Sequence, residues 1–229
     1  AGVALRSGPG EAEVACGAVR RAARLRRAVA AAAGQASHCG AYAVTGGLGG
    51  LGLRAAALLV ERGAARVLLA SRSGRVARDG QGLEAQLRSL GAAAEVVACD
   101  SAESSDTRAL LSSAQPLAGV LHAAGAGDRG LLSALRPPTV RWMFASKAVG
   151  ASHLHCALAT SPLETKLLYS SVGSALGNVG QANYATGNAC LDALALSRRA
   201  HGVVACCLQW PLVGGAGMGA VAVAAIAER

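Results

Sequence analysis

The sequence predicts an α/β protein: a doubly wound parallel sheet with helices on both faces. Three observations predict it. Short apolar runs alternate with longer stretches of helical periodicity, the pattern of βαβ units. The first well-formed run leads through a glycine-rich turn into a helix. Of 229 residues, 52% are hydrophobic but only 3% aromatic, so the core must be Ala, Val and Leu packed closely. That length is enough for one domain with a sizeable interior.

The elements follow in order. Residues 1–39 are rich in Ala and Arg, with a helix expected near 13–33. After Gly40, AYAVT (41–45) reads as a strand and 51–62 as a helix. RVLLA (66–70) is the next strand, followed by a helix over 81–90. Strand 94–98, helix 103–113 and strand 118–121 come next. One long helix is expected over 139–159, then strand 165–169, a loop, helix 181–200 and strand 203–208. The Gly/Ala-rich tail 214–227 is weakly specified, and no internal repeat is visible. Such sheets bind ligands beyond the carboxyl ends of their strands.

Charge and cysteine content narrow the function classes. The net charge is +9, and residues 1–40 contribute six Arg against Glu11 and Glu13. An Arg- and Ala-rich composition accounts for this as well as a nucleic-acid surface does, so no nucleic-acid partner is expected. A basic surface also suits an acidic carrier protein or a phosphorylated cofactor. The seven cysteines are odd in number and show no CxxC spacing, which points to free thiols in a reducing compartment rather than disulfides or a metal site. No apolar run approaches the roughly 18–20 residues of a membrane span. The expected location is the cytoplasm, with a plastid also compatible.

Gly47-Leu-Gly49-Gly50-Leu-Gly52 matches GxGxxG at the first strand–helix junction. Glycines there let the backbone turn sharply and approach a pyrophosphate at the positive helix end. A plain glycine turn is the alternative in a chain with 30 Gly, but the position at a strand–helix junction favours a Rossmann-type dinucleotide site. After the second strand, an acidic residue would bind the ribose hydroxyls of NAD. Ser71-Arg72-Ser73 stands there instead, and a guanidinium flanked by hydroxyls suits the 2′-phosphate of NADPH.

Two helices carry polar residues on faces that should be buried. Val140, Met143, Phe144, Ala151, Leu154 and Leu158 form one stripe, and Lys147 lies on it. A lysine there is paired, lines a cleft, or snorkels at the stripe's edge. On the next helix Tyr184, Asn188, Leu191 and Ala195 share a face. Strand 165–169 runs into Ser170 and Ser171, so Lys147, Ser171, Tyr184 and Asn188 are expected to converge near the cofactor loop.

TGGLGGLG (45–52), LLASRSG (68–74), CD (99–100), GVLHAAG (119–125), YSSVGSALGNVGQANYATGNACLD (169–192) and LQWP (208–211) together resemble the ketoreductase domains of modular polyketide synthases. These belong to the short-chain dehydrogenase/reductase superfamily. The resemblance spans about residues 40–218. Most of that superfamily has Tyr-x-x-x-Lys; the ketoreductase group instead has Asn four residues after Tyr and Lys on the preceding helix, as Asn188 and Lys147 stand here. The resemblance implies NADPH-dependent reduction of a β-ketoacyl group on an acyl-carrier thioester, in polyketide or fatty-acid synthesis, with an acyl-carrier protein or domain and neighbouring synthase domains as partners. It implies Tyr184 as proton donor, Ser171 as second hydrogen-bond donor, Lys147 as the ammonium that favours the phenolate and holds the nicotinamide ribose, and Asn188 as the group orienting Lys147 or a relay water. Cofactor contacts are implied for Thr45, Gly46, Gly47, Leu48, Gly49, Gly50, Leu51, Gly52, Ser71, Arg72, Ser73, Asp100, Ser101, Ala123, Ala124, Gly125, Lys147 and Tyr184. His122 is expected to be a packed strand-end residue, and no metal site is expected.

The chain departs from the family pattern in places. One stereochemical subgroup has Leu-Asp-Asp where Gly127-Asp128-Arg129 stands; the other has Trp eight residues before the catalytic Tyr, where Leu176 stands. Neither fingerprint is intact, and Asp128 leans weakly to the first. Residues 1–39 are expected to be a linker or the tail of a preceding structural subdomain, and 40–229 the catalytic domain, shortened at its C-terminus. Two alternatives remain beside this reading: a stand-alone carbonyl reductase, and a catalytically silent domain of the same fold.

Overall fold

The computed structural model describes residues 3–7, 12–16, 19–22, 39–76, 81–127, 130–215 and 217. The first three segments are strands β1 (Val3–Ser7), β2 (Ala12–Cys16) and β3 (Val19–Ala22), which pair antiparallel in sequence order. This corrects the helix expected near 13–33 at its start, where β2 and β3 stand; residues 23–33 lie outside the described residues. Ala and Arg are good helix formers, but propensity is a weak prior beside strand pairing, and Gly8-Pro9-Gly10 and Gly17 punctuate the stretch as turn residues do.

The main sheet has six parallel strands: β4 (Ala41–Thr45), β5 (Arg66–Ser71), β6 (Ala94–Ala98), β7 (Leu117–His122), β8 (Thr165–Ser171) and β9 (Cys206–Trp210). Their spatial order is β6-β5-β4-β7-β8-β9, every neighbouring pair parallel. β4 lies inside the sheet and is buried throughout, so it reads as a continuous apolar run rather than an alternating one. Tyr42 and Val44 face helices α1 (Gly50–Glu61) and α2 (Leu83–Ser89), meeting Leu53, Ala56, Leu59 and Leu83. Ala43, Leu68 and Val120 face the other way, toward Leu110 and Leu111 of α3 (Ser104–Ser113), Leu154 of α5 (Gly150–Ala157) and Leu158 just past its end. The doubly wound Rossmann-type sheet with helices on both faces is thus as expected. Sequence order reverses between β4 and β7, which makes their carboxyl ends the switch point where such folds bind ligands.

The helix expected over 139–159 is divided. α4 (Pro137–Phe144) passes into a π turn, Ala145–Val149, and then into α5. A short helix, α6 (Gly173–Leu176), occupies part of the expected loop, and α7 (Ala182–Ala200) follows. β9 starts three residues later than expected because the chain is still closing α7. Gly202, at φ 71°, lets its own N–H donate to the Arg199 carbonyl and the Val203 N–H to that of Arg198, a Schellman ending. Among the described residues, no helix is long and apolar enough to cross a membrane.

Candidate active site

The loop after β4 is shaped by what glycines leave out. A Cβ on Gly46, at φ 69°, would lie 2.5 Å from the Ala124 nitrogen; one on Gly47 would lie 2.7 Å from the Val44 carbonyl oxygen; one on Gly52 would strike Gly46 O. The loop is therefore pressed against the segment after β7 and the end of β5 at once. Backbone bonds hold it there: Ala123 N–H donates to Thr45 O (2.9 Å), Gly47 N–H to Ala70 O (3.0 Å) and Gly49 N–H to Gly46 O (3.1 Å). Gly49 caps α1 without a side chain, and no acidic residue stands in the first turn. The amides of Gly50, Leu51 and Gly52 belong to that first turn, the arrangement that receives phosphate oxygens. Leu48 is buried and packs into the core.

Ser71 ends β5 and Arg72 and Ser73 follow it at the same rim, with Arg72 and Ser73 exposed and Ser71 half-buried. Asp100 is half-buried after β6, where its Oδ1 accepts from the Ala102 N–H (2.9 Å). Ser101 is turned inward instead: a Cβ on Gly150 would lie 2.8 Å from its Oγ. The rim therefore presents Asp100, while Ser101 packs beneath the long helix. Ala123 and Ala124 line the cradle opposite Gly46, and Gly125 covers Lys147, since a Cβ there would lie 2.7 Å from the Lys147 Cε.

Lys147 sits in the middle of the π turn and is only 3% exposed. Its Nζ donates to the Tyr169 carbonyl oxygen at 2.7 Å. Burial lowers its pKa from 10.5 to about 8, with Cys207 and Asp192 acting in the opposite direction. The π turn also offers the Lys147 carbonyl to His122 Nε2 at 3.1 Å, while His122 Nδ1 lies 2.7 Å from Thr45 Oγ1. A carbonyl only accepts, so Nε2 carries the proton and the Thr45 hydroxyl donates to Nδ1. Burial, and then the Lys147 charge, push the His122 pKa down to about 3, so the ring stays neutral. His122 is a packed residue, as expected, but it also links the cofactor strand to the backbone that carries Lys147.

β8 and α7 supply the remaining groups. Ser171 and Tyr184 are half-buried. Ser171 Oγ accepts from the Gly173 N–H at 3.1 Å, which leaves its own proton to donate. Asn188 is fully buried; its Nδ2 donates to the Tyr184 carbonyl at 2.8 Å, and its Oδ1 has no partner. Ser170 Oγ donates to Asn188 O at 3.2 Å, tying β8 to α7. Gly187 lets α7 approach the π turn, with a Cβ there 3.6 Å from Lys147 Cβ. Lys147, Ser171, Tyr184 and Asn188 accordingly stand on elements packed against one another at the carboxyl end of the sheet.

Sequence reasoning passed over Asp192, which accepts from Ser174, Gln209 and Cys207. The signal was present: Tyr184, Asn188 and Asp192 are polar at successive four-residue steps of one helix. Of the stereochemical positions, Leu176 is exposed on α6, and Asp128 and Arg129 lie outside the described residues. Among the described residues, no cluster of His, Cys, Asp and Glu is arranged to hold a metal.

A family model described as KR domain matches residues 40–215. The chain belongs to the KR domain family. Polyketide synthase GfsB of Streptomyces halstedii is 45% identical over 177 residues, 76% of this chain and 3% of that protein. The spectinabilin synthase protein NorB of Streptomyces orinoci is 44% identical over 183 residues, 78% of this chain and 8% of that protein. The chain thus spans a small fraction of these curated relatives. A structure of A-type ketoreductases from a modular polyketide synthase superposes with a TM-score of 0.78 at 36% identity, covering 88% of this chain and 43% of that one. The first ketoreductase of the tylosin synthase gives 0.76 at 37%, covering 88% and 44%. KR domains are short-chain dehydrogenase-type ketoreductases of modular polyketide synthases, and they bind a nicotinamide cofactor. The residues of this KR domain fit such a group: a Cβ on Gly46, Gly47 or Gly52 would meet backbone atoms closer than 3 Å, and the buried Asn188 Oδ1 is left without a donor.

Proposed function

We propose that this KR domain reduces the β-ketone of an acyl chain, held as a thioester on the phosphopantetheine of an acyl-carrier protein or domain, with NADPH as reductant. The observation that carries the reading is the meeting of a buried lysine with the Tyr184 and Ser171 elements beside a glycine cradle. Thr45 to Gly52 and Ala123 to Gly125 would hold the dinucleotide, and Asp100, with Ser101 packed behind it, would stand on its adenine side. Arg72, between Ser71 and Ser73, would pair with a 2′-phosphate. When bound, the reduced nicotinamide supplies a hydride to the ketone carbon.

The protein's groups act on the ketone oxygen, where negative charge develops. Ser171, with Gly173 already donating to its Oγ, gives its hydroxyl proton as a hydrogen bond to that oxygen. Tyr184 transfers its phenolic proton to the same oxygen, completing the alcohol. The Lys147 ammonium compensates the charge left on Tyr184 and anchors the cofactor ribose, and Asn188 Oδ1 accepts from Lys147 or from a relay water. The setting is a polyketide or fatty-acid synthase in the cytoplasm, with neighbouring synthase domains as partners and residues 1–39 as the end of a preceding subdomain or linker.

The test is NADPH oxidation with a bicyclic ketone and with a β-ketoacyl N-acetylcysteamine thioester. NADPH should outperform NADH in kcat/KM, and Tyr184→Phe should lower kcat by roughly 10²–10⁴-fold while NADPH still binds. Equal efficiency with both cofactors would remove the assignment of Arg72. Ketone reduction at the parent rate in Tyr184→Phe would remove the assignment of Tyr184.

A further inference from the structure

The Ser171 turn and α7 carry the two donors of the proposed reaction. α6 is a four-residue helix with half of its residues exposed, and β9, which flanks it, is largely exposed. Something must fix the turn against the helix. Asp192 lies on α7 two turns beyond Tyr184 and is half-buried. Its Oδ2 accepts from Ser174 Oγ at 2.6 Å and from Gln209 Nε2 at 2.8 Å, and its Oδ1 from the Cys207 thiol at 3.0 Å. Gln209 Nε2 also reaches Ser174 Oγ at 3.0 Å, and Ser174 Oγ lies 2.8 Å from the Ser171 carbonyl oxygen. One carboxylate thus gathers donors from α6 and β9 onto α7; the single Ser174 hydroxyl proton goes to Asp192, and Ser174 stands only three residues along the chain from Ser171. Charge-assisted bonds of this length are the strong class.

The same carboxylate bears on Lys147. Two groups oppose the burial that discharges the lysine, Cys207 and Asp192. Cys207 is held as the neutral thiol, because burial and then its bond to Asp192 push its pKa up. The charge that acts at working pH is therefore that of Asp192. His122 on β7, the other titratable group bonded to the Lys147 turn, is neutral; α7, which carries Tyr184, packs against the same turn.

We propose that Asp192 is a positioning residue for this KR domain: through Ser174 and Gln209 it clamps the Ser171 turn onto α7, setting Ser171 and Tyr184 on one substrate oxygen. The inference rests on the reductase reading above. It assigns Asp192 no contact with substrate or cofactor.

Asp192→Asn, Ser174→Ala and Gln209→Ala test it in the full chain. Asp192→Asn should lower kcat by roughly 10–100-fold, the scale of a 1 Å misplacement, with KM and NADPH affinity within about twofold. Its alkaline loss of kcat/KM should move to lower pH. Ser174→Ala should lower kcat without moving that limb, because the charge remains. A second readout needs no turnover: the Lys147 13Cε resonance of lysine-labelled protein should titrate near pH 8 in the parent and lower in Asp192→Asn. The proposal is overturned if Asp192→Asn keeps its kcat within twofold, or if the Lys147 midpoint does not move while the protein remains folded by circular dichroism. A parent protein that oxidises no NADPH defeats the reductase reading, and the Lys147 titration still decides the role of Asp192.

Discussion

Lys166 is the least expected residue in the sheet, and replacing it should make the protein more stable. It lies on β8 facing α5 and α7, is 1% exposed, and its Nζ has no hydrogen-bond partner. Among the described residues the ionisable side chains around it are mostly basic: Arg198, whose Nη1 sits 2.7 Å from His155 Nδ1, His155 itself and the more distant His122, with the Cys156 thiol favouring the ammonium. Burial first, and Arg198 second, lower the Lys166 pKa from 10.5 to about 7. Between those values the unfolded chain binds a proton that the folded chain does not, so stability rises with pH across the window and is lowest below pH 7. At pH 7 the penalty is on the order of 4 kcal/mol. Lys166→Met keeps the length of the side chain and removes the charge. Urea unfolding at pH 7 should show a gain of roughly 2–4 kcal/mol, shrinking toward nothing above pH 10.5. A variant that is no more stable at pH 7, or whose gain is the same at pH 7 and pH 10, would mean that an anion compensates Lys166 or that the side chain reaches solvent, and would refute the reasoning.

Three further outcomes are expected. Gly52→Ala places a Cβ against Gly46 O; NADPH binding followed by fluorescence should be lost while urea unfolding still shows a cooperative transition. The kcat/KM of the free enzyme should fall as pH rises through about 8, where Lys147 loses its proton; a limb near pH 10.5 would show that burial leaves the lysine unperturbed. His122→Leu strands the Thr45 hydroxyl and the Lys147 carbonyl, and should cost on the order of 1–3 kcal/mol in urea unfolding. Because the His122 pKa lies near 3, the parent profile should show no step attributable to that ring between pH 5 and 8.

The site was legible in the sequence to different degrees. The β4–loop–α1 unit stood out because an apolar run, a glycine spacing and a helical period follow one another without interruption, and each constrains the backbone locally. Lys147 was visible as a charge on an apolar stripe. What escaped depended on partners far along the chain. The strands over residues 12–22 are held by pairing, which outweighs the helix propensity of Ala and Arg. Lys166 looked like one polar residue in a strand, and only the packing of α5 and α7 over it shows that both neighbours are basic. The role of His122 depends on Thr45, 77 residues away, and on a carbonyl 25 residues away. Asp192 shared a face with Tyr184 and Asn188, but its donors lie on α6 and β9.

The π turn at Ala145–Val149 makes chain length, rather than residue identity, the quantity that aims Lys147. Met143, Lys147 and Ala151 are four apart, a spacing that drifts by about 40° per step on a regular helix and that a wider turn takes up. Removing one alanine from this segment would close the π turn into a regular α turn and turn Lys147 by about 100° relative to one of the two flanking helices. It would delete no functional group and barely alter the apolar pattern. An insertion or deletion here is therefore a lesion of the active site that a position-by-position comparison of side chains would pass as silent.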